Sequence, residues 1–259
     1  MERDILRQLL ADRGAGRTVV LAKNLTSRRN FLLYPFEKEE QSPFSEAARE
    51  AALNDKSTSV TGPDGTWFLQ VFNPPLRMIL VGAVHISQPL ARMAAMSGYE
   101  VTIIDPRRAF ATAARFPGLT VTTDWPDEAM EKLKPNRRTA VVALTHDPKI
   151  DDPALLVTLK SEAFYIGALG SSKTHAKRRE RMLAAGFDEA TFKRIKGPVG
   201  LKIGARSPAE IAVAVLAEVI QTLHEVESGP TPPPQPRPGP LVAPPRDTVT
   251  LSPSQSESA

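Results

Sequence analysis

The chain contains no cysteine, which excludes disulfides, thiolate metal sites and cysteine nucleophiles together. Zinc and iron–sulfur roles are not expected either. Aromatic residues make up only 6% of the chain and its basic residues are spread among acids. The interleaved basic and stacking surface used by single-strand binders is missing, so nucleic acid is not an expected partner. No apolar run approaches the roughly 18 residues of a membrane span, and the opening MERDILRQLL is charged and amphipathic, without the apolar core and small-residue cleavage site of a secretory leader. No membrane partner is expected, and the default location is cytoplasmic. Charge of one sign is scarce too: 33 Lys and Arg against 29 Asp and Glu leave a net +4, a mild bias toward anionic partners.

What is present suits a folded protein. Hydrophobic residues are 41% and charged residues 24% of 259 positions, enough for one α/β domain of ordinary size, a smaller companion and a tail. Residues 1–76 read as a small α+β domain: an amphipathic helix over Glu2 to Asp12, apolar runs at Thr18 to Lys23 and Phe31 to Phe36, and a hairpin turning at Gly62-Pro63-Asp64-Gly65. Asn73-Pro74-Pro75 breaks regular structure and predicts a hinge. Residues 77–227 alternate strand-like and helix-like segments, the pattern of a Rossmann-like parallel sheet covered by helices on both faces. Helices are expected at Ser87 to Ser97, Pro126 to Leu133, Pro153 to Ser161, Lys173 to Ala185 and Asp188 to Ile195. A last one is expected from Pro208 to about Glu225, opened by the capping box Ser207-Pro208-Ala209-Glu210. Residues 228–259 are too rich in proline and too poor in large apolar groups to build a core, which predicts a disordered, partly polyproline tail.

The most informative stretch is Arg77 to Arg107. It reads as strand, tight turn, helix and second strand ending in an acid, the first half of a nucleotide-binding unit. Gly82 holds the place where the backbone approaches a phosphate, and Asp105 the place of an acid that grips a ribose hydroxyl. The glycine pattern is reduced, however: Gly82-Ala83-Val84-His85-Ile86-Ser87 keeps one of three glycines, and the β-branched Val84 would crowd a pyrophosphate. An ordinary NAD(P) or FAD mode is therefore the lesser expectation.

Ligands of open parallel sheets bind at the C-terminal strand ends where strand order reverses, and polar residues concentrate there. Gly82 and His85 follow the first strand, Asp105 and Arg107 the second, Thr145, His146 and Asp147 the fourth, and Gly170, Ser171 and Lys173 the fifth. In the usual strand order the first and fourth are neighbours, which would bring His85 near His146. Convergent polar groups of this kind mark a binding crevice; a metal site of His85, His146 and Asp147 is the weaker reading, since no two share a helix face. Gly170-Ser171-Ser172-Lys173-Thr174 leads into a helix and suits a phosphate cradle without the spacing of an ATPase loop. Lys173, Lys177 and Arg181 fall along one face of that helix, with Arg178 and Arg179 widening the basic stripe. The glycine-rich connector Lys196 to Arg206 reads either as plain linker or as a lid carrying Arg206. Arg107→Ala and His146→Ala are expected to weaken binding without unfolding the protein.

Taken together, Val81-Gly82-Ala83-Val84-His85, Asp105-Pro106-Arg107, Thr145-His146-Asp147, Ile166-Gly167-Ala168-Leu169-Gly170-Ser171 and Ile203-Gly204-Ala205-Arg206-Ser207-Pro208-Ala209-Glu210-Ile211-Ala212 resemble the XdhC/CoxI family over roughly residues 77–226. The resemblance implies a maturation factor rather than an enzyme, with no catalytic residues. Such a protein binds molybdenum cofactor (molybdopterin) as cargo, helps present it for sulfuration by a cysteine desulfurase, and inserts it into an apo xanthine dehydrogenase or related molybdenum hydroxylase, as a homodimer. The strand-end reading and these motifs together give the cofactor-binding set Gly82, His85, Asp105, Arg107, Thr145, His146, Asp147, Gly170, Ser171, Lys173 and Arg206. Four positions differ from the family pattern: Val84 for a glycine, Pro148 for a histidine, Ser172 for an arginine and Lys202 for an aspartate. Beside this reading stand an NAD(P)- or FAD-dependent oxidoreductase and a ligand-free partner of a complete family member.

Overall fold

The computed structural model describes residues 2–37, 42–62 and 64–228. The proline-rich tail, from residue 229, and Pro63 of the expected hairpin turn lie outside the described residues. Both sheets belong to one compact unit.

The N-terminal layer consists of α1 (Arg3–Gly14), β1 (Val19–Asn24), β2 (Asn30–Leu33), α2 (Ser45–Leu53), β3 (Thr58–Gly62) and β4 (Gly65–Phe72). Its four strands form an antiparallel sheet in the order β2-β1-β4-β3. The β3–β4 hairpin pairs Gly62 with Gly65, where the turn residues predict it. Helix α2 is not among the sequence expectations, although Ser-Glu-Ala-Ala-Arg-Glu-Ala-Ala-Leu is built from strong helix formers. It buries Ala48 and Ala52 against Val20, Leu69 and an aromatic group in which Trp67 meets Phe31 and Phe44, each with ring centroids 5.2 Å apart. Leu9 of α1 packs with Val19 and Leu21 in a separate cluster.

The second layer runs β5 (Arg77–Val81), α3 (Ser87–Met96), β6 (Glu100–Ile104), β7 (Thr120–Thr122), α4 (Pro126–Leu133), β8 (Thr139–Ala143), α5 (Pro148–Leu159), β9 (Tyr165–Ala168), α6 (Ser172–Ala184), α7 (Glu189–Phe192), β10 (Ile195–Lys196) and α8 (Pro208–Ser228). All six strands are parallel, in the order β10-β9-β8-β5-β6-β7. This is the doubly wound Rossmann arrangement, and strand order reverses between β5 and β8. Buried on both faces, β5 and β8 are nearly continuous runs of Met, Ile, Leu, Val and Ala. Leu90 and Ala91 of α3 and Val215 and Val219 of α8 fill one side of the sheet; Met130 of α4, Leu155 of α5 and Met182 of α6 fill the other.

Two sequence expectations are corrected. Helix α5 starts at Pro148, not Pro153, because Asp147 caps it and proline suits the first helical position. The segment expected as one helix from Asp188 to Ile195 is the short α7 followed by the edge strand β10. The connector after β10 is tied down over much of its length: Glu218 of α8 accepts from the Gly200 N–H at 2.8 Å and from the Tyr165 hydroxyl at 2.5 Å, and the Leu201 N–H donates to the Ala214 carbonyl. Pro198, Lys202 to Gly204 and Arg206 stand out exposed.

Candidate functional site

The turn after β5 is shaped by two contacts. Gly82 has φ +107°, and a Cβ placed there would lie 2.4 Å from Thr145 Cγ2. Glycine is required on both counts. Across the strand-order reversal, the turns after β5 and β8 therefore touch, as the sequence anticipates. His85 is exposed beside this contact, and Val84 packs partly into the core.

Asp105 follows β6 and is fully buried. Both of its oxygens are already engaged. Oδ2 accepts from the Ala83 N–H at 2.7 Å and from Arg107 Nη2 at 2.7 Å, while Oδ1 accepts from the Arg107 N–H at 3.0 Å and Arg107 Nε at 2.9 Å. Burial pushes this carboxyl up, but the Arg107 guanidinium and the two backbone donors outweigh it and hold the group below the usual carboxylate range. The Arg107 guanidinium also lies 4.7 Å from the Phe110 ring centroid. Arg115 then donates to the Ala83 carbonyl at 2.6 Å and to the Phe110 carbonyl at 2.8 Å. Both backbone polar groups of Ala83 are thus held by the segment after β6. A ribose could reach Asp105 only by displacing Arg107, and Arg107→Ala removes the partner of a buried carboxylate. Its effect on binding therefore comes with a stability cost, contrary to the simpler expectation from sequence.

The turn after β8 is organised by a residue that sequence reasoning missed. Asp151, 1% exposed, accepts from the Thr145 hydroxyl at 2.7 Å, the Thr145 N–H at 3.2 Å and the His146 N–H at 3.1 Å. The Thr145 hydroxyl in turn accepts from the Asp147 N–H at 3.0 Å. This knot holds His146 at φ +64°, uncommon for a residue with a side chain, and leaves the imidazole exposed. Burial pushes the Asp151 carboxyl above the usual range, with the Thr145 bonds, the charge of Arg178 and the His146 N–H opposing it. The spacing of Asp151, four residues after the Asp147 cap, is a usable signal; the misplaced start of α5 hides it.

The turn after β9 carries Gly170 at φ +142° and Ser171, whose hydroxyl caps α6 by accepting from the Thr174 N–H. Between α5 and α6 lies a cavity of about 190 Å³. His146, Lys173 and Thr174 line it together with Lys177, Arg178 and Arg181; Asp151 and Asp152 supply its carboxylates. The basic face of α6 is thus partly as expected, since Lys173, Lys177 and Arg181 do share one side. Arg181, however, is paired with Asp152 at 2.5 Å, Arg179 pairs with Glu189, and Arg178 turns inward, 2% exposed. His85 and Arg206 do not line the cavity. The exposed Arg206 gives its backbone N–H to Glu210 in the capping arrangement that opens α8. Among the described residues no group of three His, Asp or Glu is placed to hold a metal ion, and no helix is long and apolar enough to cross a membrane.

Comparison with known proteins gives this arrangement a family. Residues 78–219 match the XdhC Rossmann domain. Over 160 residues the chain is 37% identical to a Bacillus subtilis protein named as a probable xanthine dehydrogenase subunit, covering 61% of this chain and 46% of that protein. Over 163 residues it is 32% identical to the molybdenum cofactor insertion chaperone PaoD of Escherichia coli, covering 62% and 45%. The chain therefore spans about half the length of these curated relatives. A crystal structure described as a xanthine dehydrogenase from Bacillus halodurans shares the fold, with TM-score 0.61 and 24% identity over 89% of this chain and 67% of that one. The Rossmann match covers more than half of the 259 residues, and the chain belongs to the XdhC family.

Proposed function

We propose that this protein is an accessory factor that binds molybdenum cofactor as cargo and delivers it to a xanthine dehydrogenase-type molybdenum hydroxylase. The observation that carries this reading is the kinship of the Rossmann layer with a relative named as a molybdenum cofactor insertion chaperone. The geometry supports it in two ways. The place of a ribose-binding acid is occupied by the chain's own Asp105–Arg107 pair, which disfavours the NAD(P) or FAD oxidoreductase. The open, cation-lined space lies instead beyond β8 and β9, where a phosphorylated pterin would find basic side chains and two helix starts.

In this reading Gly82, Thr145 and Gly170 shape the floor of the crevice, and Asp147 and Ser171 hold the first turns of α5 and α6. His85, His146 and Lys173 face the cargo, Asp105 and Arg107 fix the rim, and Arg206 meets the cargo or the client from the start of α8. The factor works in the cytoplasm as a homodimer, with the apo hydroxylase as client and a cysteine desulfurase as a further partner. Its role is to bind, orient and shield, not to turn over substrate.

The test is expression in cells with and without a complete molybdenum-cofactor pathway, followed by oxidation and fluorescence assay of bound pterin, with nicotinamide and flavin measured in parallel. Pterin only with the intact pathway is the expected result. Nucleotide without pterin would transfer the assignment to the oxidoreductase, and an empty protein to the ligand-free partner of a complete family member.

A further inference from the structure

Among the described residues, Arg178 is the one charged residue in the group of largest fully buried side chains. Its Nη2 donates to the Leu169 carbonyl at 2.9 Å, Nη1 lies 3.4 Å from His175 Nδ1, and Nε is buried without a hydrogen-bond partner. Among the described residues no carboxylate comes within 4.0 Å of it; the nearest acids, Asp151 and Asp152, are spent on the Thr145–His146 turn and on Arg181. Asp151 and Asp152 act on it only from a distance, and a buried guanidinium with no carboxylate in contact and with an idle donor is costly. A ligand that supplies an acceptor and negative charge would offset that cost.

The cavity beside Arg178 supplies room for that ligand. Its volume, about 190 Å³, accommodates a tetrahedral oxyanion with a bridging water. Four cations line it against two carboxylates, and the amines of Lys173 and Lys177 are not drawn into ion pairs with any described residue. The first turns of α5 and α6 contribute Pro148, Lys173 and Thr174 to its wall, so the positive ends of two full-length helices border the same space. The exposed His146 side chain lines it as well.

We infer that the cavity between α5 and α6 is a phosphate site, in which Arg178 is the buried anchor, Lys173 and Lys177 are the outer cations, and the occupant is the phosphate group of a small ligand. As to which molecule brings the phosphate, the inference rests on the cofactor reading above: the phosphate end of the pterin lies here. The site itself does not depend on that reading, because free inorganic phosphate offers the same chemistry.

Calorimetric titration of the full chain with inorganic phosphate, in a buffer free of other oxyanions and against chloride at matched ionic strength, separates the two. Saturable binding is expected. It should weaken about tenfold or more in Lys173→Ala/Lys177→Ala, as charge-assisted bonds are lost, and vanish in Arg178→Gln. Should the Arg178 variant misfold by circular dichroism, the exposed lysine pair decides alone. No saturable binding, or binding indifferent to the lysine variant, overturns the site whatever the pterin assay returns. Phosphate binding lost in the lysine variant while pterin content stays at the wild-type level keeps the site and assigns it to free phosphate; both lost together place the pterin phosphate in it.

Discussion

At the scale of single residues, the contact between Gly82 and Thr145 sets the shape of the crevice. Alanine at position 82 must adopt φ +107° and place its Cβ 2.4 Å from a methyl group. Backbone strain and overpacking together predict a loss of about 2–4 kcal/mol for Gly82→Ala, measured by urea unfolding. Thr145→Ser removes that methyl while keeping the hydroxyl that binds Asp151. The double variant should therefore recover the overpacking part and leave the strain part. A double variant no more stable than Gly82→Ala alone would show that the clash with Thr145 is not the cause. Gly82 and Asp105 could be read from sequence because their spacing along the chain marks strand ends. Their partners could not, since Thr145, Arg107 and Arg115 reach them through folds of the backbone that no local pattern encodes. For that reason Asp105 reads as a free ribose acid in the sequence and proves to be the buried centre of a bidentate ion pair.

Among the elements, α5 and α6 divide what was legible from what was not. The cap-plus-proline signature that locates α8 at Ser207-Pro208 is repeated at Asp147-Pro148, but Pro153 inside the helix masks it and moves the expected start five residues on. The basic pattern of α6 is visible, yet spacing alone does not say which arginine faces the sheet. Arg178 does, and His175 follows it inward to lie against Phe192 of α7, the rings tilted by 35° with centroids 4.9 Å apart. Burial first, and the Arg178 charge second, hold the His175 pKa below its ordinary 6.5. The folded state thus resists a proton that the unfolded chain accepts. The resulting stability is fully present above the unfolded value and is lost as pH falls below it toward the folded pKa. Urea midpoints measured at about pH 7.5 and about pH 5.5 should fall on acidification. In His175→Phe, which keeps a ring against Phe192, the fall should be smaller. An identical fall in both proteins would mean that His175 is not the group responsible.

For the molecule as a whole, the segment Asn73-Pro74-Pro75 joins the two sheets, and composition alone marks it as a hinge. The structure fastens it. Arg138, at the entry to β8, donates from Nε to the Pro74 carbonyl at 2.6 Å and from Nη2 to Asp55 at 2.9 Å, and Asn73 donates to the same Asp55 and to the Ala52 carbonyl. One arginine from the parallel layer therefore binds both the linker and the turn after α2, while the guanidinium of Arg137 sits 4.0 Å from the Phe36 ring centroid. The Arg138 side chain is only 13% exposed, so its bond to the Pro74 carbonyl is partly shielded from water, whereas the half-exposed Asp55 leaves the ion pair open to screening salt. Arg138→Met keeps the apolar stem and deletes the bonds, at an expected cost of about 1–3 kcal/mol. That cost should not be shared evenly. The hydrophobic clusters of the antiparallel sheet contain no residue from the parallel one, so once the clamp is gone the N-terminal layer can open while the Rossmann layer stays closed. Hydrogen exchange followed by mass spectrometry should show protection falling over 19–72 in Arg138→Met, with β5 and β8 unchanged. Uniform loss across both sheets would mean that the layers unfold as a single cooperative unit and that the clamp contributes only to global stability. In the expected case the crevice, built wholly on the parallel sheet, keeps its shape in the variant. Phosphate binding at the proposed site then survives Arg138→Met.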